Sequence, residues 1–208
     1  MFFRDDDAGW EDERLLELIS RFAGLPLDLA VIPAYLSPGL AATLVELPVG
    51  MHQHGFSHTN HQVEGRKCEF GPARDRAQQF EDIAVGRVRL SELLGERLDP
   101  FFTPPWNRCT ADTGSVLAEL GYSLLSRESK AEPLGALPEL NVHLDVARLS
   151  PDELDTRFAA LAGSGEPVGV MFHHGVMEAE DMALASSLLQ LLAEHPNVLA
   201  RSMAQLCP

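Results

Sequence analysis

The stretch 51-MHQHGFSHTNHQ-62 places His52, His54, His58 and His61, four of the chain's eight histidines, directly behind the short apolar run Val49–Gln53. Four imidazoles among small and polar residues make poor core material. Metal binding or proton transfer is the use that explains them. A strand that runs into a polar cluster is also the pattern of a βα unit, whose functional groups gather at the strand's C-terminal end.

The same pattern recurs outward along the chain. Met1–Arg4 reads as a strand running into Asp5, Asp6 and Asp7; Phe101–Thr103 runs into Pro104–Arg108; Pro167–Phe172 runs into His173 and His174. Leu140–Val146 alternates like a strand and carries Asn141, His143 and Asp145. Between them lie segments with helical spacing: Glu11–Phe22, Pro38–Glu46, Arg74–Leu94, Asp112–Leu120, Asp152–Leu161 and Glu178–Glu194. Further strands are expected at Leu29–Pro33, Tyr122–Leu125 and Val198–Ala200. Strands alternating with helices predict parallel βα units. Polar clusters at equivalent strand ends predict one site assembled from across the sequence. No internal repeat or linker interrupts the 208 residues, so a single domain over 1–208 is expected.

Composition narrows the function. With 45% hydrophobic residues the chain can bury a sizeable core, while a formal charge of −15 argues against nucleic acid or an anionic membrane as partner. Cys68, Cys109 and Cys207 are odd in number and form no CxxC pair, which disfavours a cysteine zinc site or a disulfide scaffold. The opening MFFRDDDAGWEDE lacks the basic and apolar regions of a signal peptide, and no apolar run reaches membrane-span length, so the expected location is the cytoplasm.

His54 and His58, in HGFSH, are four apart, a spacing that on a helical turn presents two imidazoles to one metal ion. One carboxylate from the Asp5–Asp7 triplet would complete a three-ligand set, and a second, non-ligating one could act as base toward water. His173 is placed to protonate a leaving group. Bland readings stand beside these: surface or capping histidines for His54 and His58, and helix capping for the aspartates, which suits Asp7 best.

These residues resemble the polysaccharide deacetylases (NodB-homology, carbohydrate esterase family 4). The segment 3-FRDDD-7 looks like that family's TFDDG motif, 54-HGFSH-58 is similar to its HTxSH, 103-TPPWN-107 to its RPPYG, and 171-MFHH-174 to its LLHD. The motifs occur in the family's order from residue 3 to residue 174. The resemblance implies a distorted (β/α) barrel of about seven strands and a metal-dependent hydrolase that deacetylates an N-acetylated, carbohydrate-like substrate at a carbon–nitrogen bond. It makes Asp6, His54 and His58 the ligands of Zn²⁺ or another divalent transition metal. Asp5 becomes the general base and His173 the acid, oriented by Asp145, while the Trp106 backbone N–H shares the oxyanion charge. Pro105, Asn107, Arg108, His61 and His174 are placed with the substrate.

The departures mark a divergent branch. Thr103 stands where the family has the arginine that holds the base, leaving that role vacant or passing it to Arg4 or Arg108. Trp106 replaces a tyrosine, His174 an aspartate and Asp7 a glycine. Two other readings remain: a non-catalytic metal- or sugar-binding barrel, and a metallohydrolase acting on a non-sugar amide or ester. His52 is read as a barrel-facing strand residue and His143 as a site group or barrel filler. His195 reads as a helix C-cap and Phe56 as packing. The polar segment 64–76 is a solvated loop whose Arg66, Lys67, Glu69 and Arg74 could lean over the pocket toward a negatively charged substrate.

Overall fold

The apolar runs at the strand positions pair in parallel, because all but the run at Tyr122–Leu125 are followed by a helix long enough to carry the chain back to the same end of the sheet. In the computed structural model, which describes residues 1–22, 24–163 and 165–207, the elements follow one another as β1 (Phe2–Ala8), α1 (Asp12–Arg21), β2 (Asp28–Val31), α2 (Pro38–Leu44), β3 (Gly50–His54), α3 (Arg76–Leu94), β4 (Leu98–Thr103), α4 (Ala111–Glu119), β5 (Leu124–Leu125), β6 (Val142–Asp145), α5 (Pro151–Leu161), β7 (Gly169–Phe172), α6 (Ala179–Glu194) and α7 (Met203–Leu206). The described strands form one seven-stranded parallel sheet in the order β5-β4-β3-β2-β1-β7-β6. Its edges meet through isolated bridges, Leu125 with Glu139 and Glu128 with Val142, so the sheet curls into a distorted barrel. That is the architecture the sequence predicts.

Side chains of β1 alternate between two environments, as a strand requires. Phe3 packs outward with Leu15, Leu18 and Phe22 of α1 in the large helical layer. Phe2 points inward and meets Phe101, Leu124, Met171 and Met203. Met203 belongs to α7, which closes the N-terminal end of the barrel. The backbone N–H of Met203 donates to Asp28 Oδ2 at 2.9 Å.

Helix starts follow their side-chain chemistry. Ser37 caps α2 with Pro38 in the first turn, and reciprocal capping boxes open α3 at Asp75 and Gln78 and α5 at Ser150 and Glu153. Helix α1 is the exception: Glu11 precedes it with φ 48° and makes no side-chain cap bond. The aspartate triplet therefore does not cap α1. It lies inside β1 instead, and the strand extends four residues beyond the predicted Met1–Arg4.

The expected strand at Val198–Ala200 does not form. Both sides of β1 are taken, by β2 and by β7, so no edge is free there. The segment makes only passing contact, with the Met1 ammonium donating to Leu199 O and Arg201 N donating to Met1 O. Among the described residues no helix is long and apolar enough to cross a membrane.

Candidate active site

The C-terminal ends of β1, β3, β4, β6 and β7 open into one cleft of about 550 Å³. A buried cation forms its floor. Arg4 is fully buried on β1, with Nε and Nη2 donating to the two oxygens of Asp6 at 2.7 and 3.0 Å. Nη1 donates to Ser126 Oγ and Nη2 also to Asn107 Oδ1, both at 2.7 Å. A bidentate pair with its remaining donors satisfied is the form in which a buried ion pair is tolerated. Burial pushes the Asp6 carboxyl up, but Arg4, with help from His54 and His173, holds it below the usual range.

Which aspartates reach the cleft is decided by a bulge. On β1 the register runs from Asp5 opposite Leu29 to Ala8 opposite Val31, so Asp6 and Asp7 together face the single residue Ala30. Asp7 takes φ 72°, a left-handed conformation rare for a residue with a side chain. Strict alternation would send Asp5 and Asp7 to one face. The extra residue brings Asp6 and Asp7 to the cleft and leaves Asp5 behind.

Asp7, His54 and His58 offer one ligand atom each, all within 4.8 Å of one another. His54 Nε2 and His58 Nε2 lie 3.2 and 3.1 Å from Asp7 Oδ1. His54 Nδ1 donates to the Thr103 carbonyl at 3.0 Å and Nε2 to Asp7 Oδ1, so Nε2 is the nitrogen that would ligate a metal on losing its proton. Burial raises the Asp7 pKa, yet the hydrogen bonds and charges of the two histidines hold it well below the usual carboxylate range. An anionic oxygen and two imidazoles, one oriented by a carbonyl behind it, fit a divalent transition metal. The structure groups Asp7, rather than the expected Asp6, with His54 and His58, because Asp6 is turned to Arg4.

The two histidines do not share a helical turn. Gly55 and His58 both have positive φ, 57° and 53°, and the loop folds back through a left-handed bend. Buried Glu69 holds it by accepting from Phe56 N at 3.2 Å, Ser57 N at 2.8 Å and Ser57 Oγ at 3.1 Å. A Cβ on Gly55 would lie 2.2 Å from Glu69 Oε2 and 2.6 Å from Pro105, so only glycine fits. Trp106 and Trp10 flank His58 with ring centroids 4.4 and 4.9 Å away.

Opposite the ligand set stands His173. Its Nε2 lies 3.9 Å from Asp6 Oδ2 and its Nδ1 3.4 Å from Asp145 Oδ1. Burial favours the neutral ring, but Asp145, Asp6 and Asp7 outweigh it and push the pKa up to about 8.

Other expected site residues lie elsewhere. Asp5 is fully buried on the helical face and accepts from His174 N at 3.1 Å and His174 Nδ1 at 2.6 Å. It is out of reach of a cleft water, and His174 is equally out of reach of a substrate. His61 bonds to Arg74 at 3.0 Å, away from the cleft lining, and Pro105 is buried against Gly55. Asn107, Arg108, Trp106, Asp145 and His143 do line the cleft, and His143 Nδ1 also accepts from Gly169 N at 3.1 Å. His52 faces the barrel interior and bonds to Thr103 Oγ1 at 2.8 Å, so Thr103 takes no part in holding Asp6. Of the polar loop, Glu69 turns inward as a brace and Arg74 pairs with Asp82, while Arg66 reaches the cleft. The place of Asp7 beside the two histidines is not legible in the local pattern, and only its position in the DDD run signals it.

No protein-family profile and no curated protein sequence matches the chain. Solved structures do. A Mycobacterium smegmatis protein assigned to the polysaccharide deacetylases superposes with a TM-score of 0.75 at 17% identity, over 94% of this chain and 75% of that one. A family 4 carbohydrate esterase from Streptomyces lividans, solved with acetate, gives 0.61 at 19% identity over 92% and 86%. A CE4 family pseudoenzyme from Bacillus anthracis gives 0.69 at 12% identity over 100% and 65%. The chain has the fold of the CE4 polysaccharide deacetylases, in a divergent form.

Proposed function

We propose, on a fold shared with the CE4 deacetylases, that this chain is a metal-dependent hydrolase that removes an acetyl group from an N-acetylated, carbohydrate-like substrate. One observation carries the reading. A three-ligand donor set (Asp7, His54, His58) shares a cleft with a carboxylate that is not part of the set, Asp6, and with a histidine, His173, facing that carboxylate. Ligands, base and acid are the parts such a hydrolysis needs.

Asp7, His54 and His58 would hold zinc or another divalent transition metal. When bound, that ion supplies Lewis acidity toward an acyl oxygen and lowers the pKa of water. Asp6 takes the proton from the attacking water. Arg4 keeps Asp6 ionised and aimed, doing from β1 what the family's motif-three arginine does from the position of Thr103. His173, held charged at neutral pH by Asp145 and the nearby aspartates, gives a proton to the departing amine. The amides of Asn107 and Arg108 already bond to Pro104 and Pro105, which leaves the Trp106 N–H as the proposed oxyanion donor. The Trp106 ring offers a wall for a sugar face.

The fold likeness to a pseudoenzyme favours a second reading, a barrel that binds without turning over. The test is elemental analysis and acetate release together. About one equivalent of zinc in the wild type, lost in His54→Ala/His58→Ala, with acetate released from an acetylated amino-sugar panel, supports the first reading. Metal without release from sugars, simple amides or esters gives the second. Release from simple amides or esters alone makes it a non-sugar metallohydrolase.

A further inference from the structure

We infer that the cleft selects a substrate carrying a negatively charged group, a carboxylate or a phosphate, in addition to its acyl amide. This rests on the proposed hydrolase reading only for the identity of the amide; the anion site stands on its own residues.

The chain has 31 acidic and 16 basic side chains, yet five of the basic ones (Arg66, Arg108, Lys130, Arg148 and Arg157) line this one cleft. A sixth, Lys67, lies 6.0 Å above the Trp106 ring. They come from separate segments, following β3, β4, β5 and β6 and within α5, so their meeting is a product of the fold. Like charges gathered from distant positions repel one another, and Arg108 registers that: burial first, then Arg66 and more weakly Arg148 push its pKa down against the pull of Glu128.

The acidic residues of the cleft neutralise this group only in part. Asp6 belongs to Arg4, and Asp7 to His54 and His58. Asp145 faces His173 and, at 3.2 Å, Arg148. Glu153 is committed to the Ser150 backbone N–H and hydroxyl that open α5, at 3.0 and 2.8 Å. Glu128 pairs with Arg66 loosely, at 3.9 Å, and its charge also acts on Arg108. Arg108, Lys130 and Arg157 make no ion pair with any described residue. Arg108 spends Nη1 on the Lys67 carbonyl at 2.9 Å, while its Nε is buried without a partner.

A protein of net charge −15 repels anions over most of its surface. In the cleft basic side chains match the acidic ones in number, and those without an ion pair are left to hold an anionic substrate. Planar guanidinium groups suit carboxylate and phosphate oxygens alike.

The experiment compares binding and turnover of three sugars by zinc-loaded protein: N-acetylglucosamine, its 6-phosphate, and N-acetylmuramic acid, which bears a carboxylate. Each is measured in the wild type and in Arg66→Gln/Arg148→Gln, two exposed positions whose change leaves the core intact. One charge-assisted contact makes at least one anionic sugar about tenfold tighter than the neutral one in the wild type. That preference shrinks several-fold in the variant and between low and high salt. Which anionic sugar gains decides between phosphate and carboxylate. Equal binding of all three, a preference that survives the variant, or no binding of any would overturn the inference. Anion-selective binding without acetate release would sink the hydrolase reading and keep this one. Release from charged and neutral sugars alike would do the reverse.

Discussion

Two aspartate–histidine pairs bridge β1 and the end of β7, one residue apart in each strand. Asp5 with His174 lies under the helical layer; Asp6 with His173 lies in the cleft. In the first pair every polar atom is answered. His174 Nδ1 donates to Asp5 Oδ2 at 2.6 Å and Nε2 donates to the Trp10 carbonyl at 2.7 Å, so both ring nitrogens carry protons and the ring is a cation. In the second pair the closest approach is 3.9 Å, and neither His173 Nδ1 nor Asp145 Oδ1 has a hydrogen-bond partner. The same residue types, placed on opposite faces, make a closed pair in one case and an open one in the other.

The largest expected difference is in turnover. Asp6→Asn should retain zinc and lose roughly two to four orders of magnitude in kcat, the contribution of a general base. Near wild-type rates in that variant would return the role of base to another group. Arg4→Met comes next. It leaves Asp6 buried without its counter-charge, and thermal or denaturant unfolding should show a loss of about 3–5 kcal/mol. A variant as stable as the wild type would mean that the pair contributes little.

Asp5→Asn tests the closed pair itself. It removes the charge that holds the buried imidazolium and should cost on the order of 2 kcal/mol in stability, with zinc content unchanged and kcat per folded molecule altered less than tenfold. A collapse of kcat with intact folding would put Asp5 back in the chemistry. The smallest effect, per pH unit, is in pH dependence. Burial disfavours the charged His174 ring, but Asp5 pushes its pKa up to about 9 from an ordinary 6.5. The folded state therefore binds more protons than the unfolded state between those values. This stabilisation is complete below about pH 6.5 and is lost as pH rises through about 9, at no more than roughly 1.4 kcal/mol per pH unit. Unfolding midpoints measured across that range should fall less steeply in Asp5→Asn than in the wild type, and parallel curves would refute the linkage.

Legibility in the sequence tracked regularity. The HGFSH pair, His173 and Asp145 could be singled out because their residue types and order are unusual, and the structure brings them to one cleft. The triplet Asp5–Asp7 was legible as a functional strand end but not in its assignment. Period-two alternation predicts faces only while the ladder is regular, and the bulge opposite Ala30 breaks it. The loop at 64–76 was legible as polar and no further. That Glu69 braces HGFSH, Arg74 pairs with Asp82 and Arg66 faces the cleft depends on contacts with residues that the local pattern does not contain.

By itself, then, the sequence determined the alternating strands and helices, the placing of polar clusters at strand ends and the histidine pair, since propensity, periodicity and residue chemistry are local properties. Only the tertiary structure decided that Asp7 joins that pair and that Arg4 pairs with Asp6. It alone decided that Asp5 serves His174 and that five scattered basic residues share one wall. Each of these depends on which backbone registers and side-chain faces meet across the barrel, and those are set by packing between segments distant in sequence.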